Sequence, residues 1–136
     1  MSDETRERDI YLAKAMGWEY VPPGPETAKM YGDGVHCLRD PEGQLWPSPW
    51  AKTEDETWTH SAPYFHVWES AKAKLLRWLA ADDARWRAFE YEIIDLWEPL
   101  DMSESWSRFL VALTPAQVAD AAEKALRGMN AEQGVN

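Results

Sequence analysis

From Tyr64 onward, apolar side chains return every three or four residues, the spacing that gathers them on one side of a helix. Tyr64, Trp68, Ala71, Leu75, Trp78 and Leu79 form one stripe. Glu69, Lys72, Lys74 and Arg77 fill the rest of that window, and the late cations suit a helix C-terminus. Pro63 is placed in the first turn, where a proline is tolerated. Trp86, Phe89, Ile93, Leu96 and Trp97 form the next stripe, opened by Asp82 or Asp83 as cap and closed before Pro99. Phe89 to Ile93 also alternates as a strand would, but the longer window fits the helical period better. Asp101 and Glu104 make a capping-box pair ahead of Trp106, Phe109, Leu110 and Leu113. A last helix opens on Thr114-Pro115-Ala116-Gln117, with cap, first-turn proline and box partner in order. Val118, Ala121, Ala122, Ala125 and Leu126 form its buried face, and Gly128 is expected to end it.

The first half is less regular. Ser2 caps a helix carrying Ile10, Leu12, Ala13 and Met16, and Gly17 is its natural stop. Val21 to Gly34 (VPPGPETAKMYGDG) is expected to be irregular, because its prolines and glycines punctuate it. Val35 to Arg39 reads as a short strand, Asp40-Pro41-Glu42-Gly43 as a type I turn, and Gln44-Leu45-Trp46 as the returning strand. Pro47 and Pro49 are expected to end the pairing. Ser48 to Ala62 reads as a polar, acidic loop. The expected fold is therefore mainly α with a small antiparallel β-hairpin (α+β), around a helical core of about four to five helices. One globular domain over residues 1–130 and a frayed tail over 131–136 are expected.

Composition narrows the function classes. The 136 residues carry a net charge of −10, which repels phosphate backbones and anionic membranes and attracts basic partners. Direct nucleic-acid binding and membrane association are not expected. The single cysteine, Cys37, allows no internal disulfide and suits a reducing cytosol. MSDETRERDI lacks an apolar core, so no signal peptide is expected, and no run approaches the ~20 residues of a membrane span.

Reactive groups do not assemble into a motif. His36, His60 and His66 with Glu54, Asp55 and Glu56 are the one candidate metal or hydrolytic cluster. His60 and His66 are six apart, which misses the i, i+4 spacing that puts two imidazoles on one helical face. His36 and Cys37 point to opposite faces of a strand. Neither a G-x-S-x-G elbow nor a P-loop is present. Glu90, close to the aromatic stripe, is better read as a boundary acid than as a general acid. No catalytic residue, metal ligand or cofactor is expected.

Binding residues are expected instead. Among nine tryptophans, Trp46, Trp50 and Trp58 fall in the Pro-rich, non-helical segment where no periodicity buries them, beside Glu54, Asp55 and Glu56. Exposed indoles next to acids form the kind of hot spot that a basic or glycan partner fits. The competing reading is that these indoles plug the core. Glu92, Asp95 and Glu98 belong to a second acidic stretch that projects away from its apolar stripe and could imitate a row of phosphates.

Leu12-Ala13-Lys14-Ala15-Met16-Gly17-Trp18 resembles the opening of many small phage and prophage proteins, and Thr114 to Ala122 (TPAQVADAA) resembles their C-terminal helix. The nearest group is the phage ABA-sandwich type of uncharacterised protein. That group pairs strands between its outer helices, whereas the middle here reads mainly helical. The resemblance implies a setting, the cytoplasm of a bacterium hosting a phage, and transfers no site residue. The combined expectation is a non-enzymatic, acidic phage or prophage accessory protein that binds a basic host or phage protein, by inhibition or by nucleic-acid mimicry. The alternatives are a small-ligand or glycan module on the loop tryptophans and a small hydrolase.

Overall fold

The computed structural model describes residues 3–97 and 106–132. The chain divides into two compact units, Met1–Tyr64 and Phe65–Asn136. Among the described residues there are seven helices and one three-stranded sheet. The α+β class stands, with more helices than expected and a third strand beside the hairpin.

In the first unit, α1 (Asp3–Met16) is followed by β1 (Glu19–Val21), α2 (Pro25–Tyr31), β2 (His36–Arg39), β3 (Leu45–Ser48) and α3 (Glu54–Ser61). Helix α1 stops at Gly17, as expected. Gly17 has φ +104°, its N–H reaches the Lys14 carbonyl at 3.1 Å, and the Trp18 N–H reaches Ala13 at 3.0 Å. This is a Schellman closure, and it turns the chain straight into β1. β1 pairs antiparallel with β2 (Tyr20↔Leu38), and β2 with β3 (Leu38↔Trp46). Pro47 lies inside β3, not after it, because an edge strand can spare one N–H.

Asp40 holds the hairpin turn. One carboxylate oxygen accepts from the Glu42 and Gln44 N–H groups at 3.0 and 2.9 Å, and the other from the Trp46 indole at 3.0 Å.

Two segments expected to be irregular are helical. In α2, Pro25 sits in the first turn and Gly32 closes the end at φ +96°. The Thr27 hydroxyl accepts from the Gly24 N–H at 3.0 Å and braces the first turn. The prolines and glycines read as breakers are here a helix start and stop. In α3, the Thr53 hydroxyl accepts from the Glu56 N–H at 3.1 Å, and Glu54, Asp55 and Glu56 fill the first turn, where the dipole favours acids.

Helix α3 packs on the sheet and against α1. Leu12, Ala13, Cys37, Leu38, Leu45, Trp58 and Ala62 form the core. Arg6, buried on α1, ties this unit together. Its guanidinium donates to the carbonyls of Thr59 (2.9 Å), Pro63 (3.1 Å), Trp58 (3.4 Å) and Ala62 (2.6 Å), and to the Asp9 carboxylate (3.2 Å). It also lies 3.8 Å from the centre of the Tyr64 ring. These carbonyls lie in the last turn of α3 and just beyond it; that of Trp58 also accepts from the Ala62 N–H at 3.1 Å, and the last carbonyls of a helix lack intrahelical donors.

In the second unit, α4 (Glu69–Ala80), α5 (Asp83–Trp97), α6 (Trp106–Ala112) and α7 (Pro115–Glu132) follow one another. α7 packs on α4 and α5 around Leu75, Leu79, Phe89, Ile93, Val118 and Ala122. The segment 86–94 is helix, as its longer period requires. Asp82 caps α5, its carboxylate accepting from the Arg85 N–H at 3.0 Å. Thr114 and Gln117 form the expected reciprocal box at the start of α7, at 3.1 and 2.9 Å. The Asp101 and Glu104 pair lies outside the described residues.

Three expectations are corrected here. α4 begins at Glu69, with Trp68 extended at ψ 126°, so Tyr64 and Pro63 precede the helix by several residues. Leu96 is 40% exposed, although its spacing puts it on the line of Phe89 and Ile93. α7 runs through Gly128 to Glu132, since one glycine costs a helix only ~1 kcal/mol. Lys72 repeats the device of Arg6. It is buried on the apolar stripe, and its ammonium donates to the carbonyls of Val111 (2.9 Å) and Leu113 (2.6 Å), within and just beyond the end of α6. Among the described residues no helix is long and apolar enough to cross a membrane.

Replacing Arg6 with Met is expected to destabilise the first unit by about 3–5 kcal/mol, because it removes the buried cation beside Asp9 and the donors at the end of α3. Urea unfolding followed by circular dichroism measures this. Gly128 has open space where a Cβ would project. Gly128→Ala is therefore expected to stabilise the second unit by about 0.5–1 kcal/mol, read as a higher urea midpoint.

Candidate interaction surface

The Ala51 N–H donates to the Ser48 carbonyl at 3.0 Å, which makes Ser48–Ala51 a tight turn with Pro49 and Trp50 in its two central positions. Its two ends are fixed. Ser48 and Ala51 are buried, and the Ser61 hydroxyl bonds to the Ser48 hydroxyl and to the Pro47 carbonyl. Proline presets the backbone of the turn. The tip residue, Trp50, is consequently held outward and is 81% exposed. An aromatic ring presented this way has little backbone freedom left to lose on binding.

The acidic first turn of α3 follows directly. Glu54, Asp55 and Glu56 are all exposed, as their place at a helix start requires. Two of them are partly engaged. Glu54 accepts from the Trp58 indole at 3.3 Å, and Glu56 from the Lys52 N–H at 3.1 Å. The Asp55 carboxylate carries no such bond among the described residues.

The three tryptophans grouped by sequence differ sharply. Trp58 is corrected from a loop residue to a core residue. It stands on α3, is 5% exposed, and has the Lys14 ammonium 4.9 Å from its ring. Trp46 is 40% exposed and pinned by Asp40, with its ring 6.1 Å from that of Trp18 at 40°. Trp50 alone of the three is free on most of its surface. Glu92 and Asp95 lie on α5 of the second unit, half-buried and exposed respectively. Glu98 lies outside the described residues.

A pair that the sequence did not disclose is Tyr20 and His36. They sit on one face of β1 and β2, with the phenol oxygen 2.7 Å from Nδ1 of the imidazole and the rings stacked at 6.0 Å. Desolvation, and after it the charge of Glu54, pushes the Tyr20 phenol above its ordinary value of 10.0. The phenol therefore keeps its proton, and the tautomer of His36 sets which of the two donates. Burial likewise pushes the Cys37 thiol above 9.0, so the sulfur is a packed thiol and not a thiolate nucleophile. The alternation Glu19-Tyr20-Val21 after the glycine stop was the available signal, but three residues are too few to establish a period.

The histidines do not act together. His36 is paired with Tyr20, His60 is exposed on α3, and His66 belongs to the second unit. Among the described residues no three His, Cys, Asp or Glu side chains are placed to hold a metal ion. No family model, no curated protein and no solved structure matches the chain.

Tyr20 and Cys37 hold their protons more tightly folded than unfolded. Their contribution to stability is complete at neutral pH and is lost as pH climbs past 9.0 and then 10.0. Urea midpoints measured from pH 7 to 11 are expected to stay level to about pH 9 and then fall. In the same series Cys37 is expected to resist a thiol reagent at pH 8 until the chain unfolds.

Proposed function

We propose that the protein is a non-enzymatic, acidic accessory protein that binds a basic partner through Trp50 and the first turn of α3. The observation that carries this reading is the outward indole on a fixed turn, followed four residues later by three exposed acids. Indoles accept guanidinium and ammonium groups on their faces, and carboxylates complete the pairing. The buried charges of the described residues, Arg6 and Lys72 against Asp9 and Asp40, cancel. The net charge of −10 is therefore a property of the surface, where it steers basic partners inward.

The proposed setting, a bacterial cytoplasm with a phage or prophage, rests on the resemblance of Leu12–Trp18 and Thr114–Ala122. A basic groove that otherwise holds nucleic acid is one surface such a protein would cover. A second reading, a glycan module, is favoured by the Trp18–Trp46 ring pair, with Trp46 half-exposed.

Immobilised protein is expected to capture basic partners from a bacterial lysate at low salt, and Trp50→Ala and Asp55→Lys variants to lose them. If the same bands persist with both variants, the surface has been wrongly assigned. Sugar titrations read by tryptophan fluorescence separate the glycan reading, which requires a response that Trp46→Ala abolishes.

A further inference from the structure

The second unit has an open cleft of about 630 Å³ between α5 and α7. That volume falls in the range of sites that receive a compact group. Small residues line it, among them Ala88 and Gly128, and leave room for a large side chain. Tyr91, 78% exposed, and Met129 supply apolar walls.

Two cations stand at this cleft on a chain that is otherwise strongly acidic. Arg87 has no ion pair or hydrogen bond among the described residues, and Lys124 is held only by an exposed contact to Asp120 at 3.1 Å. Glu92 lines the cleft too and offsets part of that charge. An occupant that fits would bring a bulky apolar group flanked by carboxylates. The first unit presents that combination, with Trp50 at the tip of its turn and the exposed Asp55 carboxylate five residues on, in the first turn of α3.

We propose that the cleft between α5 and α7 of one copy receives Trp50 of a second copy, with Asp55 of the incoming chain facing Arg87. This rests on the reading of Trp50 as a binding residue and names a second copy of the chain, through the two cations at its cleft, as one partner. The indole enters between Tyr91 and Met129 and removes about 150–250 Å² of its own surface from water. The contact joins two different surfaces, so it is head-to-tail, and each copy that binds leaves one knob and one cleft open. Repulsion between copies that each carry −10 opposes it, which makes the association weak and salt-dependent.

The test is sedimentation velocity on the full chain, up to ~200 µM at 0.15 M salt, where the screening length is about 8 Å. Wild type is expected to form dimers and larger species as concentration rises. Trp50→Ala (a lost knob) and Arg87→Glu with Lys124→Glu (a lost cleft) are each expected to weaken association about thirtyfold or more, the scale of a hot-spot residue. These side chains are on the surface, and circular dichroism checks that each variant folds. A one-to-one mixture of the two variants retains one intact knob and one intact cleft, and is expected to stop at a heterodimer. Monomeric wild type, or a mixture as monomeric as its components, overturns the proposal. An oligomer untouched by either variant also overturns it, because it would use another surface. Monomeric wild type that still captures lysate partners through Trp50 removes the second copy as occupant and leaves the proposed function standing. Self-association without any such capture does the reverse.

Discussion

The guanidinium of Arg6 supports the first unit because it solves a problem of backbone polarity, not of charge. A helix end leaves carbonyls without partners, and burying them unpaired costs about 1–3 kcal/mol each. α3 ends under α1, where water does not reach every carbonyl. Arg6 meets four carbonyls at and just beyond that end, of which that of Trp58 also has a helical partner, and a carboxylate with its five N–H groups, and its positive charge faces the negative end of the helix dipole. Lysine, with three donors on a point charge, could not span that set. Where only two carbonyls have to be met, at the end of α6, the buried cation is Lys72. The long apolar stems of both residues pack like core side chains, so the ions interrupt little of the hydrophobic surface.

This device explains which parts of the fold were legible. The last helix and the segment 83–97 showed themselves because their burial follows the helical period and their caps are local. The turn at Asp40 showed itself because its chemistry lies within four residues. α3 did not, since its buried positions, Thr57 and Trp58, are too few to make a stripe. Its start signal, Thr53 with Glu56 three residues on, was present in the sequence and stood among prolines and acids that suggested a loop. α2 was hidden in the same way by Pro25 and Gly32. Lys72 reads as a charge off the stripe and Arg6 gives no signal, because the carbonyls that hold them come from sequence positions about forty to sixty residues away. β1 is three residues long and becomes a strand only by pairing with β2.

The candidate surface was legible to the same extent, for the same reason. Trp50 and Trp58 look alike when the segment is taken as a loop. Once Thr53 starts a helix, Trp58 falls on its inner side and Trp50 is left on the turn before it. The Tyr20–His36 pair needed two strands and so could not be read from either one. Its chemistry follows from its setting. Desolvation holds the phenol in its neutral form, so the pair is a hydrogen bond between neutral hydroxyl and ring nitrogen and not a phenolate contact.

Acidity alone is a weak argument for a partner in this molecule. Acids stand in the first turns of five helices: Asp3 and Glu4 in α1, Glu26 in α2, Glu54, Asp55 and Glu56 in α3, Glu69 in α4 and Asp83 in α5. Each there meets a positive helix end, which is sufficient cause for its presence. Helix dipoles do not account for an indole that is 81% exposed between two buried residues. An apolar ring of that size in water is a standing cost, and nothing in the packing of the first unit requires it. The weight of the functional reading therefore falls on Trp50, and the neighbouring acids select among partners that the indole can hold.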